Sequence, residues 1–213
     1  MNLPPYKKID MESWPRREHY RYYTDILKVN YSMTARLDVT RLRAECDRLG
    51  VHFYAAFIWC VSNVVNRLEF MKMMTDAEGH PGVWDVVHPN YTIFHKDDHT
   101  FSDCWSEYNP EFATFYDNIE KDMDAAKKVR GVKAKAGQPA NFYCISCVPW
   151  MDYTGYATSS ASDRVVLFPI IAFGKYTEHD GRLTLPLTLS IAHAVMDGWH
   201  TSEIGRASCR ERV

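Results

Sequence analysis

The chain has 213 residues, 46% hydrophobic and 14% aromatic, which is enough for one substantial core and makes a two-domain split unnecessary. With 25 Lys and Arg against 27 Asp and Glu, its net charge is -2, and no stretch is basic enough to track a phosphate backbone, so nucleic acid is not expected as a partner. Met1 to Ile9 lacks the apolar run of a secretion signal, and nothing approaches the roughly 20 apolar residues that span a bilayer; a cytoplasmic protein with no membrane partner is expected.

Asp38, Val39, Leu42, Cys46 and Leu49 read as an N-cap and the apolar stripe of a short helix stopped by Gly50. Tyr54 to Leu68 is apolar nearly all round, as a helix buried against a sheet would be. Gly79 to Gly82 reads as a turn, followed by strands at Val83–Val87 and Tyr91–His95 separated by His88-Pro89-Asn90. Asn109-Pro110 opens a helix-period stretch to about Arg130, with Phe112, Phe115, Tyr116 and Ile119 on one side. Gly131 to Pro139 reads as a loop, and strands return at Phe142–Val148 and Val165–Tyr176. Leu183, Leu185, Leu187, Leu189 and Ile191 then alternate with polar residues and proline, the pattern of a half-buried strand. This order of elements implies an α/β fold, a two-layer sandwich of a mixed β-sheet packed by helices.

The cysteines, at 46, 60, 104, 144, 147 and 209, are scattered as reduced thiols would be in a chain of this size. Cys144 and Cys147 form a C-x-x-C, but three residues apart on a strand they face opposite sides, which argues against a metal or redox pair; no metal is expected.

The chemistry-bearing run is His193-Ala194-Val195-Met196-Asp197-Gly198. By parity His193 continues the face of Leu183 to Ile191 and emerges at the end of a strand, where a neutral imidazole can accept a proton. Asp197-Gly198 marks a tight turn. Taken alone, the pattern fits a satisfied core histidine beside a turn as well as it fits a general base.

Other segments narrow the choice: Trp14-Pro15-Arg16-Arg17-Glu18-His19-Tyr20, Trp84-Asp85-Val86-Val87-His88-Pro89, Tyr91-Thr92-Ile93-Phe94-His95, Thr100-Phe101-Ser102, Trp105-Ser106-Glu107-Tyr108, Ser146-Cys147-Val148-Pro149-Trp150 and Gly174-Lys175-Tyr176. In order and spacing, from about residue 5 to 202, they resemble the chloramphenicol acetyltransferase family. The resemblance implies a homotrimer with active sites between subunits and acetyl-CoA as co-substrate. It implies that His193 deprotonates the acceptor hydroxyl, that Ser146 donates a hydrogen bond to the oxyanion, and that Asp197 pairs with Arg16 to support the base. It places Tyr22, Tyr23, Leu27, Val29, Phe101, Tyr156, Thr158 and Ser160 in the acceptor pocket, and Lys175, Tyr176 and His52 at the cofactor.

Several positions depart from the family. Ala192 replaces a second histidine, Ala172 a threonine near the oxyanion, Thr158 and Ser160 aliphatic residues, and His52 a lysine near the CoA phosphate. Residues 204–213 resemble a translated sequencing adapter, so residues 1–203 are expected to form a single acyltransferase domain without the family's C-terminal helix. The expected activity is O-acetylation of chloramphenicol; an acyltransferase for another small alcohol and a weakly catalytic, ligand-binding paralogue are the alternatives.

Overall fold

The computed structural model describes residues 5–159 and 165–210; Ser160 lies outside them. In chain order the elements are β1 (Tyr6–Lys8), α1 (Arg17–Arg21) running into a π-helical turn at Tyr22–Ile26, β2 (Asn30–Asp38), α2 (Thr40–Leu49) and α3 (Phe53–Arg67). A 3₁₀ turn at Glu69–Lys72 leads to β3 (Met73–Thr75), β4 (Pro81–Trp84), β5 (His88–Phe94), β6 (Phe101–Trp105) and α4 (Phe112–Ala126). The chain closes with β7 (Phe142–Val148), β8 (Ile170–Gly174), β9 (Thr177–His179), β10 (Arg182–Ala192) and α5 (Gly198–Arg210).

Seven strands form one mixed sheet in the order β2-β10-β8-β7-β5-β6, with β9 added beside β10. Strands β5, β7 and β8 run parallel to their neighbours in that central group, while the other pairs are antiparallel. Helix α3 lies on this sheet between α2, α4 and α5 and buries Ala55, Phe57, Ile58, Val64 and Val65, giving the two-layer α/β sandwich. β1, β4 and β3 form a separate small sheet. There Gly82 is required because a Cβ would come within 2.4 Å of the Tyr6 ring.

The polar residues of the buried helix are matched to the sheet. Ser62 Oγ lies 2.7 Å from the Tyr143 hydroxyl, and Tyr108 donates to Asn63. The Asn66 amide accepts from Val87 N at 2.9 Å and donates to Val87 O at 3.0 Å, acting as one rung of a β-ladder that locks the entry to β5.

Four expectations are corrected. His88-Pro89-Asn90 does not separate two strands but begins β5, because His88 and Pro89 pair in parallel with Phe142 and Tyr143. The preceding strand ends at Trp84 because it belongs to the small sheet. β10 is not half-buried: from Leu185 onward both faces are covered. Its polar side is closed by hydroxyl pairs to β2, Ser190 with Ser32 and Thr188 with Thr34, each 2.7 Å, and by Tyr153. Finally, the chain after Asp197 is helical through Arg210, with Ile204 3% exposed against the core, so a C-terminal helix is present. Thr201 secures its first turn through Asp197 O, by backbone and side chain.

β2 is absent from the sequence-derived elements although Tyr31, Met33, Ala35 and Leu37 alternate along it. Among the described residues no helix is long and apolar enough to cross a membrane. Replacing Asn66 with Ala leaves both polar groups of buried Val87 without their partner, so Asn66→Ala should lower unfolding free energy by about 2–4 kcal/mol. Urea melts would test this, and a loss below about 0.5 kcal/mol, the range of ordinary surface substitutions, would contradict it.

Candidate active site

His193 follows directly on β10, and its N–H donates to Val29 O at 3.1 Å, tying it to the segment before β2. Its ring stacks on Tyr23, centroids 4.0 Å apart and planes 7° from parallel, and meets the edge of Tyr31 at 5.2 Å. Nδ1 is buried without a hydrogen-bond partner among the described residues. Two aromatic rings therefore fix this imidazole, and Nε2 is the nitrogen left for proton exchange.

Four residues further on, Asp197 meets Arg16 of the turn before α1, Nη1 to Oδ2 at 2.8 Å, over a separation of 181 residues. Its other oxygen accepts from Trp199 N at 3.1 Å and lies 2.8 Å from His200 Nδ1. His200 is a member of this cluster that sequence reasoning missed; its spacing of three from Asp197 at a helix start was the available signal. Burial pushes the Asp197 carboxyl up, but the hydrogen bonds from His200 and Arg16 outweigh it and hold the group well below the usual carboxylate range. The side chains keep 22% (Arg16) and 35% (Asp197) of their exposure, so the pair is screened rather than sealed.

Ser146 lies on β7, where its hydroxyl is 3.2 Å from Thr92 Oγ1 of β5. Across the sheet it aligns with Ala172, and Ala172 aligns with Thr188. His193 is five residues beyond Thr188, which places it roughly 17 Å further along the strand direction, and two strand spacings to the side, of Ser146. A single chain therefore holds the candidate base and the candidate oxyanion donor apart.

The residues expected in the acceptor pocket are likewise not brought together within one chain. Tyr22, Tyr23, Leu27 and Val29 flank the His193 end of the sheet. Phe101 opens β6 at the opposite edge, and Tyr156 and Thr158 lie in the segment after β7, Tyr156 beside Tyr153. Tyr22, Leu27 and Phe101 are 45, 51 and 54% exposed in the single chain.

The three residues expected at the cofactor do converge. His52, Lys175 and Tyr176 line one cleft of about 960 Å³ together with Tyr54, Thr92, Phe94, Cys147 and Trp150. That is at the upper end of the sizes typical of ligand sites. Phe53 meets Tyr176 edge-on at 5.3 Å, and Phe94 meets Trp150 at 4.7 Å, giving the cleft aromatic walls. Lys96, Lys127 and Arg130 also line it, Lys127 paired with Asp124 at 2.8 Å and Arg130 with Asp97, another residue of the lining, at 2.6 Å. His52 does not stand free there: Nδ1 is 2.7 Å from Glu120 Oε2. Burial pushes the Cys147 thiol up to about 12, so this cysteine stays protonated and is no nucleophile at neutral pH. Cys144 and Cys147 are free, and they occupy positions of opposite parity on β7.

The chain that builds this mixed sheet, the histidine at its strand end and the aromatic-walled cleft is an acyltransferase by its likeness to known proteins. A family profile described as chloramphenicol acetyltransferase matches residues 4–206. The chloramphenicol acetyltransferase of Clostridium perfringens is 37% identical over 194 residues, covering 91% of this chain and 89% of that protein. That of Streptomyces acrimycini is 36% identical over 202 residues, covering 95 and 92%. A solved structure of a chloramphenicol acetyltransferase shares the fold at a TM-score of 0.83 and 20% identity, covering 96% of this chain and 98% of its own. A dihydrolipoamide acetyltransferase of Azotobacter vinelandii shares it at 0.63 and 18% identity, over 83% of this chain and 78% of its own. This chain belongs to the chloramphenicol acetyltransferase family.

Because the folded pKa of Asp197 is depressed, its contribution to stability is complete above about pH 4, the unfolded value, and is lost as pH falls below it. Asp197→Asn should cost about 1–2 kcal/mol at pH 7, reduced by the partial exposure of the pair, and should flatten the acid limb of the stability profile. Melts of both proteins between pH 2.5 and 7 would show it; parallel profiles would refute the assignment.

Proposed function

We propose that this protein transfers the acetyl group of acetyl-CoA to a hydroxyl of chloramphenicol in a direct ternary complex. The observation that carries the reading is His193, held between Tyr23 and Tyr31 at the end of β10 in a chain more than a third identical to curated chloramphenicol acetyltransferases.

The acceptor hydroxyl gives its proton to Nε2 of His193 as its oxygen attacks the thioester carbonyl. The carbonyl electrons move onto oxygen, and Ser146 stabilises that charge by donating a hydrogen bond. Collapse of the tetrahedral intermediate reforms the carbonyl, breaks the C–S bond and expels the thiolate of CoA, which takes the proton back from His193. Asp197, with Arg16 and His200, holds the turn that comes after the base and acts on its geometry rather than as a proton relay. The cleft lined by His52, Lys175 and Tyr176 is the berth for CoA, with its apolar walls suited to the pantetheine arm and its lysines to the phosphates.

The separation of His193 from Ser146 supports an active site assembled from two copies of the chain, within a homotrimer. In such an assembly His193 of one copy faces Ser146 and the acceptor pocket of the next. Phe101, Tyr156 and Thr158 would then join Tyr22, Tyr23, Leu27 and Val29 around the acceptor. The aromatic residues among them suit a nitrophenyl ring. Half-buried Thr158 adds polarity and favours, as a second reading, a different small alcohol as the natural acceptor. No metal and no nucleic acid takes part in this scheme, and the cytoplasm, where acetyl-CoA is available, is the compartment it requires.

Thiol release from acetyl-CoA should depend on chloramphenicol and fall by at least about 10²–10⁴-fold in His193→Ala. Release from a panel of other alcohols but not chloramphenicol would establish the second reading, and chloramphenicol binding without any release would establish a non-catalytic paralogue. The mass in solution should be three times 24.7 kDa. A monomer that retains full turnover would exclude the shared site.

A further inference from the structure

Ser146 stands in a row of aligned residues that crosses the sheet, with Thr92 on one side and Ala172 and then Thr188 on the other. Ala172 carries no hydroxyl, so the row is interrupted next to Ser146. The contact to Thr92 Oγ1 at 3.2 Å is the hydrogen bond the Ser146 side chain makes among the described residues.

Thr92 is itself firmly held. Its carbonyl accepts from the Tyr54 hydroxyl at 3.0 Å, and its backbone pairs with Asp103 of β6. Tyr54 belongs to the first turn of α3, and both Tyr54 and Thr92 line the coenzyme cleft. Thr92 thus links the wall of that cleft to the Ser146 hydroxyl.

A hydroxyl has one proton. If Ser146 donates to Thr92, it has no proton left for the substrate; if Thr92 donates to Ser146, the Ser146 proton is free to turn toward the reacting carbonyl. The donated bond also polarises the Ser146 O–H and makes it a stronger donor. We propose that Thr92 is the positioning residue of this site, donating through Oγ1–H to Ser146 so that the Ser146 proton is aimed at the oxyanion. The assignment rests on the role of Ser146 proposed above and deepens it: with alanine at 172, orientation of the oxyanion donor falls to Thr92.

The experiment is a set of four variants, Thr92→Val, Thr92→Ser, Ser146→Ala and the Thr92→Val/Ser146→Ala double, assayed for thiol release with acetyl-CoA and chloramphenicol. Thr92→Val should lower kcat about three- to tenfold, the scale of one hydrogen bond, with KM for both substrates unchanged. Thr92→Ser should retain wild-type kcat, which a merely steric role for the threonine methyl would not allow. In the Ser146→Ala background, Thr92→Val should have no further effect. Wild-type kcat in Thr92→Val beside an impaired Ser146→Ala overturns the proposal alone, as does an equal loss from Thr92→Val in both backgrounds. Full activity of Ser146→Ala overturns the oxyanion assignment and this proposal with it.

Discussion

Pairing of β10 with β2 on one side and β8 on the other is the constraint on which the rest of the structure depends. Nine residues of β10 are matched to β2 and four to β8, and from Leu185 onward both faces are buried. A strand so enclosed cannot slip by one residue without moving leucines into the hydroxyl row and hydroxyls into the helix layer. Hydroxyl pairs between Ser190 and Ser32, and between Thr188 and Thr34, make the register more specific still. His193 inherits its position from that register.

The contacts made by the residues after β10 turn a strand end into a candidate site. The Val29 carbonyl ties the His193 backbone to the segment before β2, and Tyr23 and Tyr31 clamp its ring. Asp197 then gathers Arg16 from near the N-terminus and His200 from the first turn of α5. Polar groups half withdrawn from water are matched here by residues far apart in sequence, so the local geometry is stable only when the whole domain is folded. The same sheet keeps Ser146 and the cleft lined by His52, Lys175 and Tyr176 at a distance from His193. The proposed chemistry therefore requires a neighbouring copy, whose surface would also cover the exposed Tyr22, Leu27 and Phe101.

Much of the fold was legible because its strongest elements carry strong periodicity. The helix from Phe53 to Arg67, the strand from Phe142 to Val148 and the strand ending at Ala192 lie where apolar patterning puts them. The patterning failed where burial depends on partners. Alternation along β10 implies one wet face, but its threonine and serine side chains find hydroxyl partners on β2 that no local pattern reveals. His88-Pro89-Asn90 has turn composition, yet the parallel neighbour β7 draws it into β5. A tail without an apolar period still continues as helix, because α5 is started by Thr201 on Asp197 and anchored by Ile204 in the core.

By itself the sequence determined the family, through motifs in order along nearly the whole chain, and with it the candidates for the base, for its supporting ion pair and for the coenzyme contacts. Only the tertiary structure decided their grouping. Arg16 reaches Asp197 across 181 residues, His200 joins them unannounced, and Ser146 is held by Thr92 rather than by a residue of its own segment. The physical reason is that motif order is a property of the chain, whereas hydrogen-bond partnership depends on which strands lie side by side and in which register.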